Sequence, residues 1–440
     1  MSTAQLDRAA PAVVDAPRGV LDRVGRLRHN SPGRLQLMLA ALLALGLLTG
    51  LVAGLTAASA ASGTADLGDR AQPLLVEAET IYSALADADT TAAQAFLAGG
   101  LEPTALTRRY EADLDRATTA LTSAARRTPE SGRSADAIRQ LSTDVARYAA
   151  LVASARANNR QGLPVGASYL SSASTLSRDS LQPQAQALLQ AAQEEVGDGY
   201  GAARSSWWTA LLVVLLLALL VALVLAQRYL SRSTHRTFNV PLVAGTVVTA
   251  ILVLITGVVL TTQRAHLAAA DTAGSTPVAL LAETRIAALR ERGDEALTLA
   301  ARSGEGPLEA DFDDTTERLT RLLAQAGWAV DGTTADPAVE SATARHTAYV
   351  KAHDEVRALD NGGDYAGAVA LAIGAPTSQT FTSLTDDIGR ALENRKAVFS
   401  SEIGAAGRGL GLLTVLGPLL ALVVCGLAVA GIRARLEEYR

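Results

Sequence analysis

Cysteine is almost missing from this chain: Cys425 is the only one in 440 residues, and it lies inside an apolar run. The rest of the chain can form no disulfide and must be held by packing. Aromatic residues are scarce as well, 4% against an apolar share of 49%. That share comes mainly from Ala and Leu, which favours helices over sheets. Charge is absent from four stretches, 35–57, 207–227, 240–262 and 409–432. Each is long enough to cross a hydrocarbon core of about 30 Å. Spans without a charged residue argue against an ion-coupled transporter or proton path. Also missing are a phosphate-binding glycine loop, HExxH, a nucleophile elbow and a kinase signature. No catalytic residue, cofactor or metal is therefore expected.

What is present is a four-span layout with a sided charge distribution. Residues 1–34 hold six arginines (8, 18, 23, 26, 28 and 34), the link 228–239 holds Arg228, Arg232 and Arg236, and the tail 433–440 holds Arg433, Arg435 and Arg440. Those segments carry 12 basic and 5 acidic residues, whereas 58–206 and 263–408 are both net acidic. By the positive-inside rule both termini and the link are cytoplasmic and the two large segments are outside, as in a multi-pass protein of the plasma membrane. The basic clusters thus read as topology determinants, not as a nucleic-acid surface. Ala58-Ser59-Ala60 resembles a signal-peptide cleavage site, but the preceding 34 residues and the long apolar run favour a retained anchor. The cytoplasmic parts are too short for an output domain. In the first span Gly46, Gly50 and Gly54 form a small-residue ladder suited to close packing on another membrane helix.

The layout repeats. At an offset of 204, Pro73 matches Pro277, Ala78-Glu79-Thr80 matches Ala282-Glu283-Thr284, and Ala84-Leu85 matches Ala288-Leu289. At an offset of 201, Tyr148 matches Tyr349, Arg156-Ala157 matches Arg357-Ala358, and Gly162 matches Gly363. These matches predict an internal duplication. Each external segment reads as four helices with longer outer members, so the expected fold is all-α: two tandem up-down four-helix bundles, each continuous with a pair of membrane helices. The third helix of the first unit carries the clearest stripe, Ile138, Leu141, Val145, Tyr148, Val152 and Ala155. Helix four of the first unit is expected to kink at Pro183.

In that arrangement "RANNRQGLPVGA" and "RALDNGGDYAGA" lie at the ends farthest from the bilayer. Turn chemistry accounts for Asn158, Asn159, Gly162, Asn361 and Gly363, with Asp364 as a helix cap. Arg156, Arg357 and Asp360 are left over, and the whole tip is a candidate contact for a partner or ligand. In the second unit His346 and His353 stand where the first has Val145 and Val152. Seven residues apart, they do not suit chelation of one metal. Two readings stand: a pH-responsive or polar ligand cleft, and a partly exposed pair without a role.

Each half resembles the four-helix-bundle sensor domains of bacterial chemoreceptors and sensor kinases, without their output module. The complete layout also resembles an Ala/Arg-rich actinobacterial family of four-span proteins. Members link a solute-binding lipoprotein of the glutamine-binding type to the cytosolic serine/threonine kinase G. The resemblance implies a non-enzymatic signal transducer whose tips receive an amino-acid-loaded binding protein and whose cytoplasmic segments act on a kinase or adaptor. A cell-envelope scaffold without switching and a direct small-ligand sensor are the other readings.

Overall fold

The structure, a computed structural model, describes residues 31–99, 102–204, 207–234, 239–302, 306–328 and 336–436. The calls on the N-terminal arginines before Arg34, on Arg236 and on the last residues of the tail lie outside these. The protein is all-α, with no strand among the described residues. Its contacts divide it into two units. One comprises Met1–Ser59, Ser206–Leu260 and Gly409–Arg440; the other comprises Ala60–Ser205 and Thr261–Arg408.

The first unit holds the apolar helices, which belong to α1 (Ser31–Asp66), α7 (Trp207–Thr234), α8 (Val240–Ala269) and α14 (Leu410–Leu436). All four are long and apolar enough to cross a membrane. Each has two apolar faces. Leu212, Leu216, Leu219, Leu223, Leu252 and Val424 are buried among the helices, while Leu51, Val214, Leu254 and Val415 point outward. An outward apolar face suits lipid and would be costly in water. The glycine ladder of α1 lies against α14. A Cβ on Gly46 would meet Cys425 Sγ at 2.6 Å, one on Gly50 would meet Ala421 Cβ at 2.8 Å, and one on Gly54 would meet Pro418 Cγ at 3.2 Å. The absence of side chains lets these two helices approach closely.

The second unit contains α2 (Gln72–Leu97), α3 (Thr104–Arg127), α4 (Arg133–Arg160), α5 (Val165–Leu176) and α6 (Gln182–Arg204), then α9 (Thr276–Ala301), α10 (Pro307–Trp328), α11 (Pro337–Asn361), α12 (Tyr365–Ile373) and α13 (Ala375–Gly407). The element order of the second set follows that of the first. Three junctions are π-helical turns, Leu67–Ala71, Ser177–Leu181 and Ala270–Ser275. Each precedes a helix whose second residue is proline: Pro73, Pro183 or Pro277. Proline offers no N–H, and its ring collides with the carbonyl one turn back; the wider turn removes that collision. The expected kink at Pro183 is therefore a π-turn inside a continuing helix. At the fourth proline, Pro376, the chain breaks outright at Gly374, so the fourth helix of the second set is two helices where one was expected.

The two sets share one core. Leu74, Ile81, Leu141 and Tyr148 from the first join Leu289, Phe312, Tyr349, Leu384 and Phe399 from the second in one apolar cluster. Helices α2 and α9 pack on each other along this seam. Surrounded on all sides, α2 encloses Glu79, Asp87, Asp89 and Thr90 as well as its leucines, and α9 is exposed only along Thr276, Glu283 and Arg290 and at its last residue. Leu67, Leu74, Ile81 and Leu85 lie in the core, and the opposite face of α2 is covered as well.

Candidate functional site in the shared bundle core

Four buried charges fall within five residues of α9: Glu291, Arg292, Asp294 and Glu295. Ionised groups are stable inside a protein only when paired and hydrogen-bonded, so their partners define the local architecture. Arg292 is 2% exposed. It donates to Glu295, and through Nη2 to the Ala372 carbonyl at 2.7 Å at the end of α12. Its guanidinium lies 5.6 Å from the ring centroids of both Tyr349 and Phe381. Tyr349 Oη donates to Glu295 at 2.8 Å.

The histidines of α11 complete this cluster. His346 Nε2 is 3.0 Å from Glu291, which also accepts from Thr316. His353 lies between two carboxylates, Nδ1 at 3.2 Å from Glu295 and Nε2 at 3.1 Å from Glu309. The ring stacks on Phe312 with centroids 3.6 Å apart. With an acceptor on each nitrogen, both must carry hydrogen, which describes an imidazolium. Burial pushes the His353 pKa down, but the bonds and charges of Glu295 and Glu309 outweigh it and the net shift is upward. Glu295 is held below the usual carboxylate range: burial raises it, and Arg292 and His353 more than compensate. Both histidines are buried, at 4% and 3% exposure, so the partly exposed pair of the sequence reading is not what the fold contains.

The chain of charges extends to the corner between α11 and α12. Glu309 also meets Arg357 Nε at 3.2 Å, and Arg357 donates to Asp360 at 2.6 Å and to Asn361 at 3.3 Å. Alternating charges thus link Arg292, Glu295, His353, Glu309, Arg357 and Asp360 from the core to the turn. Arg357 is buried and turned inward; it is not a solvated helix-end residue. Its counterpart Arg156 donates to Glu102 at 2.7 Å and to Thr107 at 3.1 Å, with its guanidinium 5.6 Å from the Tyr110 ring centroid. Both arginines brace the third helix of their set against the start of the second.

The corners themselves share one geometry. Leu163 N–H donates to the Asn158 carbonyl and Gly162 N–H to that of Asn159; Asp364 and Gly363 make the same pair of bonds to Leu359 and Asp360. This is the Schellman closure, and its left-handed residue is Gly162 at φ +67° or Gly363 at φ +86°. Asn158 and Asn159 stay helical. Asn158 caps back to the Ser154 carbonyl, and Asn159 reaches the Phe96 carbonyl at 2.9 Å, tying the corner to the end of α2. Asp364 accepts from Gly367 N–H at 2.9 Å, capping α12.

In the first set Tyr148 Oη donates to buried Asp89 at 3.1 Å, as Tyr349 does to Glu295. Burial raises Asp89 despite the bonds from Tyr148 and Ser174. Residues 63–201 match the actinobacterial sensor domain. With four helices long and apolar enough to cross a membrane, the chain fits a sensor membrane protein. No curated protein and no solved structure matches it. The sensor-domain match includes the Asp89–Tyr148 centre and ends before α9, so the ionic chain of the second set lies outside it.

The seam joins the sensor-domain region to the second set through polar contacts. Asp87 on α2 takes Arg109 at 3.2 Å and Arg285 of α9 at 3.0 Å. Thr90 donates across to the Leu289 carbonyl at 2.9 Å, and Lys396 reaches Glu79 at 2.8 Å. Asp294 faces Arg178 of the second π-turn at 3.5 Å. Burial pushes both Asp113 and Asp294 up to about 7. The sequence reading missed these carboxylates because a charged residue beside an apolar stripe normally marks a wet face. One signal was available: "ADADTT" and "RERGDE" fall at matching positions of α2 and α9. Among the described residues no group of three or more His, Cys, Asp or Glu side chains is arranged to hold a metal ion.

Proposed function

We propose that the chain is a non-enzymatic transmembrane signal transducer. In this reading both termini are cytoplasmic, and the two helical sets, related by duplication, are extracytoplasmic. They receive an amino-acid-loaded solute-binding protein at their tips, and the membrane helices pass the signal to a separate cytosolic effector such as a serine/threonine kinase. The observation that carries the reading is the sensor-domain match over 63–201 in a chain with four membrane-length helices. The helical runs Gly33–Leu97 and Val240–Ala301 each combine a membrane-length apolar segment with a core helix, α2 or α9. Small helix displacements are an established switching motion, and such a run suits their transmission.

The corner of the first set supplies a surface for a partner. Leu163, Val165 and Tyr169 are exposed there, although polar residues would satisfy the turn equally well. Isolated exposed apolar residues are ordinary, but a cluster of three marks a contact surface. The test is a Leu163→Ser/Val165→Ser chain assayed for effector phosphorylation in cells at normal membrane abundance. Loss of the response supports reception at the corner. A full response, with loss only of an assembled envelope complex on deletion of the chain, supports a scaffold instead.

A further inference from the structure

A cleft of about 220 Å³ opens between α6 on one side and α9 and α10 on the other. Its α6 wall is a row of carboxamides, Gln182, Gln186, Gln190 and Gln193. The spacing puts all four on one helix face. The opposite wall presents Arg290, Arg318 and Glu283. Arg318 and Glu283 pair with each other. Arg290 does not find an equal partner: among the described residues its one ionic contact is Asp294, at 3.8 Å. The side chains of Gln186, Gln190 and Gln193 make no hydrogen bond among the described residues. The lining therefore offers one under-used guanidinium, a net charge of one positive unit, and a set of amides that both donate and accept.

We propose that this cleft binds a small carboxylate with additional hydrogen-bonding groups, held by Arg290 and the glutamine row, and that occupancy is felt across the seam through Asp294 and Arg178. A planar guanidinium matches a planar carboxylate through two parallel bonds. A phosphate dianion would want donors alone and more positive charge; the glutamines offer as many acceptors as donors. The volume lies below the roughly 300–1,000 Å³ of drug-sized sites, which sets the ligand at metabolite size. Asp294 is the link to the rest of the molecule. It is buried, its Oδ2 has no hydrogen bond, and it divides its charge between Arg290 and Arg178. A carboxylate that takes over Arg290 leaves Asp294 to Arg178, which sits in the π-turn Ser177–Leu181 leading into α6. Binding rests on the cleft alone; its use as a cue rests on the sensor reading.

The experiment uses the full chain in nanodiscs, with thermal unfolding and titration calorimetry. The probes are L-glutamate, L-glutamine, L-malate, citrate and inorganic phosphate. At least one carboxylate should bind saturably and raise the unfolding temperature. Arg290→Gln should weaken it at least about tenfold, the loss of one charge-assisted pair. Lys351→Gln, on an exposed position of α11, should not. Should Arg290→Gln fail to fold, Arg318→Gln and Gln190→Leu serve in its place and should also weaken binding. No saturable binding across the carboxylates, binding unaffected by every cleft variant, or binding of phosphate alone overturns the proposal. Intact carboxylate binding without any cellular response would overturn the use of the cleft as a cue and leave the site standing.

Discussion

Two helices of this protein occupy matching places and solve the same packing problem differently. In α4 the core positions Val145 and Val152 flank Tyr148, whose hydroxyl meets one buried acid, Asp89. In α11 the same positions are His346 and His353 around Tyr349, and they meet Glu291, Glu295 and Glu309. Around this tyrosine the first core has one acid, with apolar side chains on either side. The second exchanges apolar contact for an ionic chain leading to its corner. Apolar packing is tolerant and non-directional. A buried ionic chain is directional, and removing one member leaves the others uncompensated. The second set is therefore the more brittle.

The comparison breaks most severely at Arg292. Arg292→Met should cost about 3–5 kcal/mol, because Glu295 loses its buried counter-charge. Tyr148→Phe in the first set should cost about 1–3 kcal/mol, the penalty of a single lost bond to a buried acid. Chemical unfolding of the full chain in detergent, followed by helical circular dichroism, ranks the two. Reversal of the order would mean that the ionic chain does not control the stability of the second core.

In the membrane unit, Gly50→Leu should force α1 off α14, since even a Cβ would stand 2.8 Å from Ala421. A cost of about 1–3 kcal/mol is expected from overpacking. Leu51→Ala, on the outward face, is the control and should have little effect on thermal half-life in detergent.

Protonation sharpens the contrast. The raised pKa of His353 gives stability that is fully present below the ordinary imidazole value of 6.5 and lost as pH rises through the folded-state value. The raised carboxyls Asp113 and Asp294 act earlier, their effect on stability declining from about pH 4 and finishing near 7. Thermal melts from pH 6.5 upward should fall for the native chain and flatten in His353→Gln. An unchanged slope in the variant would assign the effect to another group.

The smallest effect should be the same in both halves. Gly162→Ala and Gly363→Ala each place a Cβ on a left-handed residue, at a cost of about 1 kcal/mol. Nothing else lies within 4 Å of either added Cβ, so the two melting shifts should agree. A large difference would show that one corner is strained beyond its turn geometry.

Much of this was readable from residue order. The four charge-free runs, the stripe on α4, the glycines of both corners and the Asp364 cap follow from local chemistry, because lipid, helix periodicity and left-handed backbone each select residue types directly. The inward course of Arg156 and Arg357 was not readable. A long cationic side chain at a helix end can reach water or a neighbouring helix, and only the position of Glu102 or Glu309 decides.

The sequence by itself determined that this is a helical protein with four membrane-length segments and two sets of bundle helices, since those properties need only composition, periodicity and length. Only the tertiary structure decided that the two sets share one core. Packing α2 against α9 leaves α2 no wet face and α9 only a narrow one along Thr276, Glu283 and Arg290, and that burial turns ordinary surface charges into a paired network. Whether a carboxylate lies in water or beside an imidazolium depends on which helix lies opposite, a relation between residues far apart in the chain.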